Sequence, residues 1–115
     1  MNVEVSKLPS GANRIKLDGD LDMAGVGAVE KRLFELCAGD PPQMIVDLSG
    51  VGFIGSFGIR MLLQAIKTVS GRGGRLVLLN PTKIVDSALD ISGLGGHIVR
   101  GDEAEAAASE LQSGK

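Results

Sequence analysis

Tryptophan and tyrosine are missing from this chain of 115 residues, and phenylalanine occurs only at positions 34, 53 and 57. The core must therefore be aliphatic, and base stacking, the common way of gripping single-stranded nucleic acid, has almost nothing to use. There is also little excess of charge: 12 basic against 14 acidic residues leave a formal net charge of -2. A phosphate backbone asks for a clustered basic face, so no nucleic-acid partner is expected. Cys37 is the sole cysteine, which excludes an internal disulfide and a zinc site built from several thiolates, and fits a reducing compartment. Its place at the end of an apolar helical pattern marks it as a small core side chain. No apolar run approaches the ~20 residues of a membrane span, and the stretch after Met1 has no basic region leading into an apolar one. The chain is expected to be soluble and cytoplasmic, without membrane contact.

What is present is enough to bury a core. Hydrophobic residues make up 43% and charged residues 23%, and the length is that of one unit, so residues 1–115 are read as a single domain. Val3, Val5 and Lys7 alternate with polar residues, Pro9 to Asn13 is turn chemistry, and Arg14 to Leu17 alternates again, which predicts an antiparallel hairpin. From Met23 the period becomes helical, with Val26, Val29, Leu33 and Leu36 on one face and Gly39 to Pro42 as the stop. Met44 to Leu48 and Leu76 to Leu79 are short continuous apolar runs, the pattern of parallel strands covered on both sides. Between them Ile59, Leu62, Leu63, Ile66 and Val69 predict a helix ending at Gly71 to Gly74. After Pro81, Thr82 to Asp90 reads as a short helix with Ile84, Ala88 and Ile91 toward one side, closed by Gly93 to Gly96. His97 to Arg100 reads as a last strand, and Asp102 to Leu111 as a final helix with acids at its start.

The junction from Leu48 to Gly58, read as a loop between a buried strand and a helix, is where an open parallel sheet meets ligands and partners. Gly50-Val-Gly-Phe-Ile-Gly55 matches a dinucleotide fingerprint in spacing, but the next strand ends in Asn80 where that motif needs an acid. Asp18, Asp20 and Asp22 have the spacing that opens a calcium loop, yet Met23 and Val29 stand where its glycine and closing glutamate belong. Asp22 is better read as a helix cap, with Asp18 and Asp20 as a solvated acidic edge. Neither a phosphate-loop motif nor a Gly-x-Ser-x-Gly elbow occurs, and the lone His97 has no second ligand or base beside it in the sequence. No catalytic residue, metal ligand or cofactor is predicted.

Taken in order, Leu17-Asp-Gly-Asp-Leu-Asp22, Val46-Asp-Leu-Ser-Gly-Val-Gly-Phe-Ile-Gly-Ser-Phe-Gly58, Asn80-Pro81 and Asp90-Ile-Ser-Gly-Leu94 resemble the landmarks of the STAS-domain anti-sigma factor antagonists, over nearly the whole chain. The resemblance implies a STAS-like α/β fold: a mixed sheet of about five strands, with an N-terminal antiparallel hairpin and parallel central strands, and about four helices. It also implies partner switching. In that family the unphosphorylated antagonist binds a serine-kinase anti-sigma factor, which phosphorylates the first serine of Asp-Ser-Ser-Gly; the complex dissociates until a serine phosphatase restores it. Matched residue by residue, the phosphoacceptor is Ser56 and the motif glycine Gly58, while Gly55 replaces the Asp and Phe57 the second Ser. The expected partner-binding set is Asp20, Asp22, Gly55, Ser56, Phe57, Gly58 and Arg60. Ser56 also has a plain structural role open to it, as N-cap of the second helix, and Phe57 reads either as packing or as an exposed anchor, the second being favoured. Gly55 supports an alternative, a STAS module that joins another signalling or transport complex constitutively, without phosphorylation. A small nucleotide-binding enzyme is the third reading, and no catalytic set supports it.

Overall fold

Val3 and Val5 alternate with polar neighbours, as do Ile15 and Leu17, so each segment has one apolar face to bury. A computed structural model of the chain, which describes residues 1–9, 11–39 and 43–101, pairs them as antiparallel strands β1 (Asn2–Lys7) and β2 (Asn13–Leu21), with Val3 opposite Leu17 and Val5 opposite Ile15. There follow α1 (Met23–Cys37), β3 (Gln43–Ile54), α2 (Ser56–Gly71), β4 (Arg75–Leu79), α3 (Lys83–Ile91), a 3-10 turn at Gly95–His97 and the short strand β5 (Ile98–Val99). The sheet order is β1-β2-β3-β4-β5, and every pairing after the first is parallel. Crossovers between parallel strands are right-handed almost without exception, so a sheet that grows in one direction receives its helices on one face. The core agrees: Val29 and Leu33 of α1, Leu62 and Val69 of α2, and Val85 and Leu89 of α3 share one apolar cluster with Ile15, Leu17, Val46 and Leu78.

The continuous runs in β3 and β4 are buried on both sides, as predicted, with Ile45, Val77 and Leu79 forming a smaller cluster on the opposite face. On that face Asp47 is only 3% exposed. Its carboxylate accepts hydrogen bonds from Arg14 Nη2 at 2.6 Å, from the Ser49 amide at 3.0 Å and from Ser49 Oγ at 2.7 Å. Burial by itself would raise the carboxyl's pKa; the hydrogen bonds from Arg14 and Ser49, with the guanidinium charge, outweigh it and hold the group below its ordinary value. The pair fastens β2 to β3.

Several elements depart from the sequence reading. Ser49 to Ile54, which lacks alternation and reads as loop, continues β3 beside β2. Register shifts between Lys16 and Asp18 and between Gly19 and Leu21 disturb the phase, so that Val51 turns inward out of step with Leu48 and Ile54 returns to it. α3 buries Val85 and Leu89, not Ile84 and Ile91, which are 67% and 86% exposed. Both sets have helical spacing in a nine-residue helix; Val85 and Leu89 are the pair that joins the main core cluster, and at the helix entry Thr82 Oγ1 donates to the Val51 carbonyl at 3.0 Å. His97 closes the 3-10 turn and β5 shrinks to two residues. The helix predicted over 102–111 lies outside the described residues, among which there are three α-helices.

Candidate docking site at the amino end of the second helix

Two chain passages meet at the carboxyl end of the parallel strands: β2 enters α1 at Asp22, and β3 enters α2 at Gly55. The Asp22 carboxylate accepts from the Gly25 amide at 2.9 Å, capping α1 as its sequence position predicts. The Gly55 amide donates to the Leu21 carbonyl at 3.0 Å, which ties the second passage to the first. Two glycines make this approach possible. A Cβ on Gly25 would collide with the Asp20 carbonyl, and one on Gly58 would lie 2.7 Å from Ile54 Cγ1 and 2.9 Å from the Leu21 carbonyl oxygen. Both helices thus start against the end of β2.

Ser56 is the first residue of α2 and is exposed. The N-cap is Gly55, with extended backbone (φ -103°, ψ -173°) and no side chain to offer. The reading of Ser56 as the cap is therefore corrected: it already has its place in the first turn. Among the described residues no hydrogen bond engages its hydroxyl. Phe57 is 48% exposed, in keeping with an anchor, and Arg60 is exposed one turn on. Asp20 and Asp22 are exposed on the β2 side of the same junction. Asp18 leans over Gly50, and Asp20 lies beside Gly52, where a Cβ would stand 3.4 Å from its Oδ1. Gly55 is half-buried, and Gly58 is buried against Ile54 and Leu21.

Sequence reasoning overlooks Met23, 67% exposed, together with Gly27, Glu30 and Gln64. With Val26, Phe57, Arg60 and Met61 they line an open cleft of about 380 Å³ between α1 and α2. The available signal is a spacing of three and four residues on each helix; only the packing of α1 against α2 turns two stripes into one cleft. Ion pairs among the described residues join Arg14 to Asp47 and Arg100 to Asp86; neither Glu30 nor Arg60 takes part in one. Among the same residues no group of three or more His, Cys, Asp or Glu is placed to hold a metal ion, and no helix is long and apolar enough to cross a membrane.

A family model for the STAS domain matches residues 7–108. Among curated proteins, the anti-sigma F factor antagonist of Lysinibacillus sphaericus is 28% identical over 93 residues, which are 80% of this chain and 80% of that protein. Among solved structures, the anti-sigma factor antagonist SpoIIAA in its unphosphorylated form aligns with a TM-score of 0.77 at 25% identity, covering 92% of this chain and 93% of that one. The Bacillus cell fate determinant SpoIIAA in its phosphorylated form shares the fold, with a TM-score of 0.73 at 23% identity over 92% of this chain and 96% of its own.

Proposed function

The chain belongs to the STAS-domain family, and from that premise we propose that it is an anti-sigma factor antagonist, a partner-switching regulator that docks a serine-kinase anti-sigma factor through the amino end of α2. The carrying observation is the free, exposed hydroxyl of Ser56 in the first turn of that helix, at the junction whose exposed residues include Phe57, Arg60, Asp20 and Asp22. In this reading Ser56 is the substrate of the partner kinase, a serine phosphatase reverses the modification, and the exchange takes place in the cytoplasm.

The placement separates the effect of a phosphate on the fold from its effect on the complex. Added at Ser56 it brings about -1.5 to -2 charges to a helix amino end, where first-turn amides and the dipole favour an anion. Arg60, four residues on, is the nearest cation along the helix. The fold tolerates the charge, whereas a docked surface does not: a hundredfold loss of affinity requires only about 2.7 kcal/mol, which an unpaired dianion buried near partner acids supplies.

Gly55 favours a second reading, in which the domain docks constitutively and is never phosphorylated, because the carboxylate that completes the family's kinase-recognition motif is missing. One experiment separates the two. The protein is incubated with the cognate anti-sigma kinase and ATP, followed by mass spectrometry, and the affinity of Ser56→Asp is measured by calorimetry. Phosphate on Ser56 and a loss of about a hundredfold for the variant support switching. An unmodified serine with unchanged affinity leaves constitutive docking, and the absence of any complex with an anti-sigma factor removes both.

A further inference from the structure

We infer, on the footing of the docking role proposed above, that the cleft between α1 and α2 selects the anti-sigma factor by accepting one large apolar side chain that the partner presents between an acid and a base. The floor of the cleft is Val26 and Met61, both buried, and its lips are Met23 and Phe57, both exposed. Apolar lips around an apolar floor are the surroundings in which a single partner side chain becomes an energetic anchor, since it leaves water on every side at once.

Gly27 is the second observation. A glycine inside a helix costs roughly 0.5–1 kcal/mol relative to alanine, and at most such positions a close neighbour explains it. Here nothing lies within 4 Å of the place its Cβ would occupy, and its φ is not left-handed. Packing therefore does not require the glycine, and because Gly27 lines the cleft, a long side chain there would compete with an occupant for space. The charged part of the lining supplies orientation. Glu30 on α1 and Arg60 on α2 carry opposite charges, and neither is in an ion pair among the described residues. A partner element with a base toward Glu30 and an acid toward Arg60 is complementary, and the reversed pair is repelled. Phe57, standing where the family pattern has a second serine, extends the apolar lip and makes it the residue that sets this chain's choice of partner apart.

The test uses the purified anti-sigma factors of the source cell, titrated by calorimetry against the wild-type protein and the variants Gly27→Leu and Phe57→Ser. Binding is also followed through methionine methyl signals in NMR, because Met23 and Met61 line the cleft whereas Met44 is sealed in the core. Gly27→Leu is expected to melt no lower than wild type and yet to bind about tenfold more weakly, with Phe57→Ser also weakened. On complex formation the Met23 and Met61 methyls shift and Met44 stays. If Gly27→Leu binds within about twofold of wild type and those methyls do not move, while Ser56→Asp still weakens the complex, the cleft is not the selector and the docking role survives. Failure of every anti-sigma factor to bind the wild type overturns both. Self-association that shifts Met23 and Met61 without a partner assigns the cleft to a second copy of the chain and overturns the inference.

Discussion

Alanine at Gly58 and alanine at Gly27 are expected to move stability in opposite directions, although both replace a glycine inside a helix. Each change recovers part of the roughly 0.5–1 kcal/mol that glycine costs there. At Gly27 nothing opposes the gain, since the new methyl meets open space. At Gly58 it stands 2.7 Å from Ile54 Cγ1, 2.9 Å from the Leu21 carbonyl oxygen and 3.0 Å from Leu21 Cβ. The carbonyl cannot retreat cheaply, because it accepts the Gly55 amide that holds the two passages together. Overpacking of this kind costs about 1–3 kcal/mol, which leaves a net loss of about 0.5–2 kcal/mol after a helical gain of about 0.5–1 kcal/mol is subtracted. For a domain of this size the corresponding fall in Tm is about 2–8 °C, against a rise of about 2–4 °C for Gly27→Ala. Thermal unfolding followed by far-ultraviolet circular dichroism suits a chain without tryptophan or tyrosine. A Gly58→Ala protein melting at or above the wild-type temperature would refute the close packing of α2 on the end of β2, and with it the account of how Ser56 is placed.

Three further outcomes are expected. Arg14→Leu leaves the buried Asp47 carboxylate without its cation and should cost about 1–3 kcal/mol in urea unfolding. Because the folded carboxyl of Asp47 sits below its ordinary value, its contribution is complete above about pH 4 and drains away as the pH falls toward the folded value; an acid limb that Arg14→Leu leaves unchanged would contradict the pairing. Burial pushes the Cys37 thiol up to about 11, so alkylation in mild alkali should wait on unfolding, and rapid labelling of the native protein would count against a sealed thiol. Gly55→Asp has room, with Phe53 Cε2 at 3.4 Å and the Leu21 carbonyl at 3.9 Å from the new Cβ, and supplies the cap that α2 lacks. It should stabilise by roughly a few tenths of a kcal/mol and raise the initial rate of Ser56 phosphorylation, a gain that a kinase assay would show to be absent if the carboxylate plays no part.

Much was open to reading from consecutive residues alone: the hairpin, the both-face burial of Met44 to Leu48 and Leu76 to Leu79, Asp22 as a cap and Phe57 as an exposed ring. Each rests on a period or a local hydrogen bond that neighbours in the chain carry between them. Where two solutions share one period, the sequence is silent. α3 offers Ile84 with Ile91 or Val85 with Leu89 at equally helical spacing, and only packing against distant parts of the chain, with the Thr82 to Val51 bond 31 residues away at the helix entry, presents the second to the core. The phase of β3 beyond Leu48 follows from bulges against β2, and the cleft exists because α1 and α2 lie side by side on one face of the sheet. Composition and periodicity therefore determined the order of the main strands and helices and that a helix starts next to Ser56, but not that β3 runs on to Ile54 or that Gly55 is the cap. Tertiary packing decided which faces stay open, because that depends on residues brought together from distant parts of the chain.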